Sequence, residues 1–355
     1  MSRFLRQRPV SAPAGSPRTP LKKTVAFGSN PGGLAMLSHV PSGPGGSSLP
    51  LVVVLHGCTQ TAAAYDHGSG WSALAERCGF AVLFPEQAPA NNPKRCFNWF
   101  QPADTARNAG EALSILQMIE RLALDHHIDR RRIFVTGLSA GGAMAAAMLA
   151  AYPEIFAGGA VIAGLPYGTA GTVKEAFEAM FTGHRQSPQQ WGDLIRSASS
   201  HRGPWPTVAI WHGMADKTVV PVNADELVKQ WQNVHQIDGV PATVETVGRL
   251  RRQVWHAPDG KPVIEKYSIA GMGHGAPLDV RDDAGRGHAG PFMLDVGISS
   301  TYQCAFSWGI TGPIVRRHES PENEPVSNAP FRPRQQHGEV GVVIANALRS
   351  AGLMK

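Results

Sequence analysis

The stretch that most restricts this chain's architecture is Arg132-Ile133-Phe134-Val135-Thr136-Gly137-Leu138-Ser139-Ala140-Gly141-Gly142-Ala143-Met144. An apolar run passes through Gly137-Leu138-Ser139-Ala140-Gly141 into an alanine-rich segment, which predicts strand, sharp turn and helix. Such a turn lifts a serine hydroxyl above the end of a strand and crowds the residues two before and two after it. Gly137 and Gly141, lacking a Cβ, suit those positions. The first amides of the helix would then sit behind the serine with partial positive charge. The pentapeptide alone is a weak signal, and a glycine turn leading into a core helix is the plainer alternative; the flanking pattern and the partners downstream give it weight.

The flanking pattern is that of alternating strands and helices. Leu51-Val52-Val53-Val54-Leu55 is an unbroken apolar run, which predicts a strand buried on both faces of a parallel sheet. Phe80 to Pro85, Gly159 to Ala163 and Thr207 to Gly213 predict further strands, with Val244 to Val247, Gln253 to Trp255 and Val263 to Ile269 as a last group. Helical spacing falls at Trp71 to Cys78, Val173 to Phe181, Pro188 to Ser199, Asn223 to His235, and Ala109 to His126 with its stripe Leu113, Leu116, Ile119 and Leu122. The expected class is therefore α/β, a doubly wound, mostly parallel sheet with helices on both faces. A leading hairpin, Thr24 to Phe27 and Leu34 to Val40, is expected about the turn residues Asn30-Pro31-Gly32-Gly33.

Single α/β domains commonly reach about 250 residues or more, so 355 residues suit one domain, expected over 24–355. Residues 1–23 read as a disordered tail with no apolar run long enough for a signal peptide or a membrane span, so a cytoplasmic protein is expected. The pattern weakens over 277–336, read as an irregular insertion, a lid, or an arm towards another subunit, which leaves a homo-oligomer open. Residues 339–350 recover helical spacing. With 33 basic against 27 acidic residues, spread without a basic block, no nucleic-acid role is expected. None of the 14 histidines has metal-like spacing, and no metal is expected. Four cysteines, Cys58, Cys78, Cys96 and Cys304, are too few for a disulfide framework and leave room for one bridge.

A serine hydroxyl attacks a carbonyl only when a base takes its proton, and the base needs a third group to hold one tautomer. In this fold the order along the chain is serine, acid, histidine, each on a loop leaving the carboxyl end of a strand. Asp216 follows the strand at 207–212, and His274 lies between glycines after the last apolar strand, so Ser139, Asp216 and His274 are the candidate catalytic residues. Asp225 is the reserve acid; His212, His184, His201 and His288 are poorer bases by position. A turn-capping role is the plain alternative for Asp216. The oxyanion needs amide donors, expected from Ala140, next after the serine, and from Cys58, beyond His56-Gly57. A small buried residue or half of a bridge is the plain alternative for Cys58.

Taken together, His56-Gly57-Cys58-Thr59-Gln60, Pro85-Glu86-Gln87, Cys96-Phe97-Asn98-Trp99-Phe100, Gly137 to Met144, Gly164-Leu165-Pro166-Tyr167-Gly168 and the Asp216 and His274 loops resemble the polyhydroxybutyrate depolymerase family of esterases, which also includes feruloyl and acetylxylan esterases. The resemblance runs from about residue 24 to 275. It implies an α/β-hydrolase fold and hydrolysis of carboxylic esters through an acyl-enzyme on Ser139, without cofactor or metal. It also implies that Cys58 and Cys96 pair and that Trp99 lines the acyl pocket; Leu138 and Gln60 complete the candidate substrate-binding set. The expected substrate is polyhydroxybutyrate-type polyester or its oligomers, with small soluble feruloyl or acetylxylan-type esters as the alternative. An alternative of another class is a non-catalytic protein of this fold that binds a ligand. Without a signal peptide or an appended polymer-binding module, intracellular polymer, oligomers or small esters are expected over crystalline extracellular polymer.

Overall fold

A computed structural model of the chain describes residues 20–42, 48–281 and 287–312. Its frame is a ten-stranded sheet built from β1 (Lys22–Thr24), β2 (Ala35–His39), β3 (Leu49–Leu55), β4 (Ala81–Glu86), β5 (Ile128–Leu138), β6 (Gly158–Ile162), β7 (Thr207–Gly213), β8 (Thr243–Val247), β9 (Leu250–His256) and β10 (Pro262–Ile269). The spatial order is β1-β2-β4-β3-β5-β6-β7-β10-β9-β8. From β4 to β10 every neighbouring pair is parallel, and antiparallel strands close both edges. Parallel neighbours need crossover helices, and those helices cover both faces.

The apolar run of β3 shows why the centre is buried twice over. Leu51, Val53 and Leu55 enter one core, with Ile115, Met148 and Trp231, while Val52 and Val54 enter the other, with Trp71, Phe84 and Trp211. On the first face the helix Gly110–Asp125 buries Ala112, Ile115, Met118, Ile119 and Leu122. The expected stripe of three-residue steps places Leu113 and Leu116 at its margin, because a constant step of three drifts off the 3.6-residue turn. The helix Ala140–Ala151 is buried at every residue, and its alanines let it lie close under the sheet.

Two features at the ends of the domain differ from the expectation. The first strand begins at Lys22, inside the expected tail, and leaves Val25 86% exposed beyond its end. The region after His274 is not a lid or an arm where it is described. There β11 (Ala276–Leu278) pairs in parallel with β12 (Met293–Asp295), and the helix Ser300–Ser307 buries Tyr302, Cys304 and Ala305 in the second core. Trp308 stacks on both Phe134 and Trp71, locking this segment to the sheet. The expected helix at 339–350, like residues 1–19, lies outside the described residues.

Candidate active site

Ser139 stands between β5 and the buried helix with φ 58° and ψ −117°, a conformation that costs a side-chain-bearing residue about 1–3 kcal/mol. The surroundings hold it there. Its amide donates to the Ile162 carbonyl at 2.9 Å, and its carbonyl accepts from Ala143 N–H at 2.9 Å. Glycine is required on either side: a Cβ on Gly137 would stand 2.2 Å from the Gly141 carbonyl oxygen, and one on Gly141 would stand 2.4 Å from that of Leu55. The strained turn thus follows from two glycines that let strand, helix and the end of β3 touch backbone to backbone. Leu138, 1% exposed, packs in the second core and backs the turn.

Asp216 and His274 leave the same edge of the sheet from β7 and β10, which are neighbours. His274 Nδ1 lies 2.7 Å from Asp216 Oδ2. The other carboxylate oxygen accepts from the amides of Thr218 at 2.8 Å and Val219 at 2.9 Å. The two loops are joined through their backbones, Met214 N–H to Ile269 O at 3.0 Å and Ala215 N–H to Met272 O at 2.8 Å. Gly213 makes that approach possible, since a Cβ there would lie 2.4 Å from the Met272 carbonyl oxygen. Burial pushes the Asp216 carboxyl up, but the His274 hydrogen bond and the Val219 amide help to hold it below the ordinary carboxylate value. Its ionised form accepts, so His274 donates through Nδ1–H and keeps Nε2 as an acceptor.

The remaining candidates separate cleanly. Asp225, the reserve acid, is taken by the Lys266 ammonium. His184 stands edge-on to Trp191, His201 edge-on to Trp205, and His288 stacks on His67. His212 does approach the acid: its Nε2 is 3.6 Å from Asp216 Oδ2 and 2.8 Å from the Val219 carbonyl.

The loop after β3 is held from three sides. Gly57 O accepts from His56 Nδ1–H at 2.8 Å and from Gln60 N–H at 3.3 Å. In a trans peptide the carbonyl and the next amide point oppositely, so Cys58 N–H faces away from the His56 ring. Gly57 N–H donates to Gln60 Oε1 at 2.8 Å, which makes Gln60 a brace of the turn; its expected contact with substrate is not what its carbonyl oxygen does here. His56 Nε2 accepts from Gln87 N–H at 3.1 Å, fixing the Nδ1–H tautomer, and burial pushes the ring's pKa down to about 4. Cys58 and Cys96 form a disulfide across a sequence separation of 38 residues. Sequence reasoning passes over the His56 ring and weighs His212 only as a base, although the same dipeptide, His-Gly, stands at the ends of two buried strands.

Beside these loops Trp99 and Met180 pack on a small apolar group of Ala143, Leu165, Ala179 and Val219, contributed by the helix after Ser139, the loop after β6, the helix Val173–Thr182 and the Asp216 loop. Among the described residues there is no cluster of three or more His, Cys, Asp or Glu able to hold a metal, and no helix long and apolar enough to cross a membrane.

The family profile described as Esterase PHB depolymerase matches residues 34–254, which spans both the Ser139 turn and the Asp216 loop. The chain belongs to that family. It is 48% identical over 294 residues to poly(3-hydroxyalkanoate) depolymerase C of Paucimonas lemoignei, covering 82% of this chain and 70% of that one. It is 34% identical over 276 residues to an acetylxylan esterase of Coprinopsis cinerea, covering 75% and 70%. Among solved structures, the acetyl xylan esterase from Aspergillus awamori superposes with a TM-score of 0.69 at 25% identity, over 82% of this chain and 99% of that one. The fold is that of the α/β-hydrolases, and the protein is a carboxylic ester hydrolase of the serine type.

Proposed function

We propose that this esterase cleaves the ester links of a 3-hydroxyalkanoate polyester, or of its oligomers, through an acyl-enzyme on Ser139. In this reading Ser139 attacks the carbonyl carbon while His274 Nε2 takes the hydroxyl proton and returns it to the leaving alkoxide. Asp216 holds the ring by Nδ1–H and balances the imidazolium. The amides of Cys58 and Ala140 receive the oxyanion. Water, deprotonated by His274, then releases the acid and frees Ser139. The observation that carries the mechanism is the 2.7 Å contact between His274 Nδ1 and Asp216 Oδ2, because it selects the tautomer whose Nε2 accepts a proton. The choice of substrate rests on the 48% identity to the Paucimonas lemoignei enzyme, and the apolar group around Trp99 suits a short acyl chain.

A second reading, an acyl ester carried on a carbohydrate, has the superposition on the acetyl xylan esterase in its favour. The Cys58–Cys96 bridge favours an oxidising compartment over the cytoplasm expected above. The test is a panel of 3-hydroxybutyrate oligomers, methyl ferulate, acetylated xylan and p-nitrophenyl esters, run on the protein and on Ser139→Ala. Oligomers are expected to turn over, and a fluorophosphonate to label the native chain alone. The rate of Ser139→Ala should fall by about 10⁴ or more. Turnover of ferulate or acetylxylan without oligomers would move the reading to the second; undiminished activity in Ser139→Ala would end both.

A further inference from the structure

His212 has a contact pattern that the proposed mechanism does not use. It is the last residue but one of β7 and 2% exposed. Its Nε2 lies 2.8 Å from the Val219 carbonyl, which can only accept, so the proton sits on Nε2. Its Nδ1 is buried with no hydrogen-bond partner among the described residues, so a second proton there would be stranded. The ring is therefore neutral and of a single tautomer. Burial, the largest influence on it, lowers its pKa in the same sense.

Two histidines thus address one carboxylate oxygen. His274 donates to Asp216 Oδ2 at 2.7 Å, while the Nε2–H of His212 stands 3.6 Å away, beyond hydrogen-bond length but within electrostatic reach. The charged groups around His212 are Asp216 on its own loop, His274 beyond β10, and Lys266 on β10 with its partner Asp225. A charged His212 would compete with His274 for Asp216. A neutral one cannot, and through Val219 it anchors the loop whose amides at Thr218 and Val219 grip the other carboxylate oxygen.

We propose that His212 is a positioning residue for ester hydrolysis: its neutral ring clamps the Val219 carbonyl and turns a donor towards Asp216, so the carboxylate stays aimed at His274 through the rise and fall of the imidazolium charge. This rests on the roles given above to Asp216 and His274. Clamp and donor act together, because the N–H that fixes the loop is also the dipole that faces the acid. The loop therefore needs no covalent tie at this corner.

The experiment compares His212→Leu, His212→Gln and His212→Asn with the wild type and Asp216→Ala, using a p-nitrophenyl ester and active sites counted by fluorophosphonate labelling. The glutamine amide nitrogen reaches where Nε2 stands, and that of asparagine stops near Nδ1. Expected is a kcat per labelled site lowered about tenfold or more in His212→Leu and His212→Asn, with KM nearly unchanged and His212→Gln close to wild type. The acid limb of kcat/KM should move to lower pH in the impaired variants, because an imidazolium facing a misaimed carboxylate is less stable. A change confined to melting temperature, with kcat and the acid limb unmoved, overturns the proposal, as does a glutamine variant as impaired as asparagine. If His212→Leu fails to fold, the Gln and Asn contrast decides alone. An inactive Asp216→Ala beside fully active His212 variants sinks only this inference; an active Asp216→Ala sinks the catalytic reading and the inference with it.

Discussion

Two parallel strands of this esterase end in the same dipeptide, His56-Gly57 after β3 and His212-Gly213 on β7, and the corners they make are held by different means. At the first, the ring is locked as Nδ1–H by the Gln87 amide and bonds the carbonyl of its own neighbour; at the second it is locked as Nε2–H and bonds a carbonyl seven residues on. The first corner carries a disulfide, whereas the second is joined to the His274 loop by backbone hydrogen bonds. The difference follows from what each corner delivers. A backbone amide is aimed only by fixing the backbone itself, so a covalent tie beside it is effective. A carboxylate is aimed by the donors around it, so hydrogen bonds suffice.

Breaking the covalent tie is the most severe way to test that contrast. Replacing Cys58 and Cys96 together by alanine should cost about 4 kcal/mol of stability from the entropy of the 38-residue loop, read as a lower urea midpoint. Activity should fall with it while the pH dependence set by His274 stays in place; a shifted acid limb would mean the two corners are not independent.

Glycine substitution tests the same contrast less drastically. Gly213→Ala drives a Cβ into the Met272 and Gly273 carbonyls at 2.4 and 2.5 Å, so it should part the acid and histidine loops and lower kcat about a hundredfold. Gly57→Ala meets the Gln60 side-chain oxygen first, at 3.0 Å, and should cost less than about a tenth of that loss. Equal losses in the two variants would erase the distinction.

The smallest effect is a linkage at the first corner. His56, lowered to about 4, refuses a proton that the unfolded chain accepts, so its contribution is full above pH 6.5 and is lost as pH falls towards 4. Glu111, raised to about 8 by burial and by Asp104, binds Gln87 and contributes oppositely, its share present below pH 4.5 and lost as pH rises through 8. The two offset each other between pH 6.5 and 4.5. Glu111→Gln should remove the offset and leave a fall on the order of 2 kcal/mol across that window, read from urea midpoints at each pH. A flat profile in the variant would show that His56 is not the proton-linked group.

The large pattern is legible in the chain alone. Apolar runs identified the parallel strands β3 to β7 and β10, because a buried parallel strand is largely apolar on both faces. The helices Ala62–Ser69 and Ser300–Ser307 escaped notice, since the first holds Asp66, His67 and Gly68 and the second follows a weakly patterned stretch. The candidate triad is legible as chain order, whereas the packing of Leu138 and the brace made by Gln60 are not, because closeness to a motif says nothing of which way a side chain turns.

By itself the sequence determined the sheet, the strained turn at Ser139 and the order of the three reactive side chains, since hydrophobic period and glycine placement act locally. Only the tertiary structure decided the tautomers of His56 and His212, the brace made by Gln60 and the capture of Asp225 by Lys266. Those depend on which acceptor arrives from a distant strand, and a proton's position on a ring is settled by that neighbour rather than by the residue that carries it.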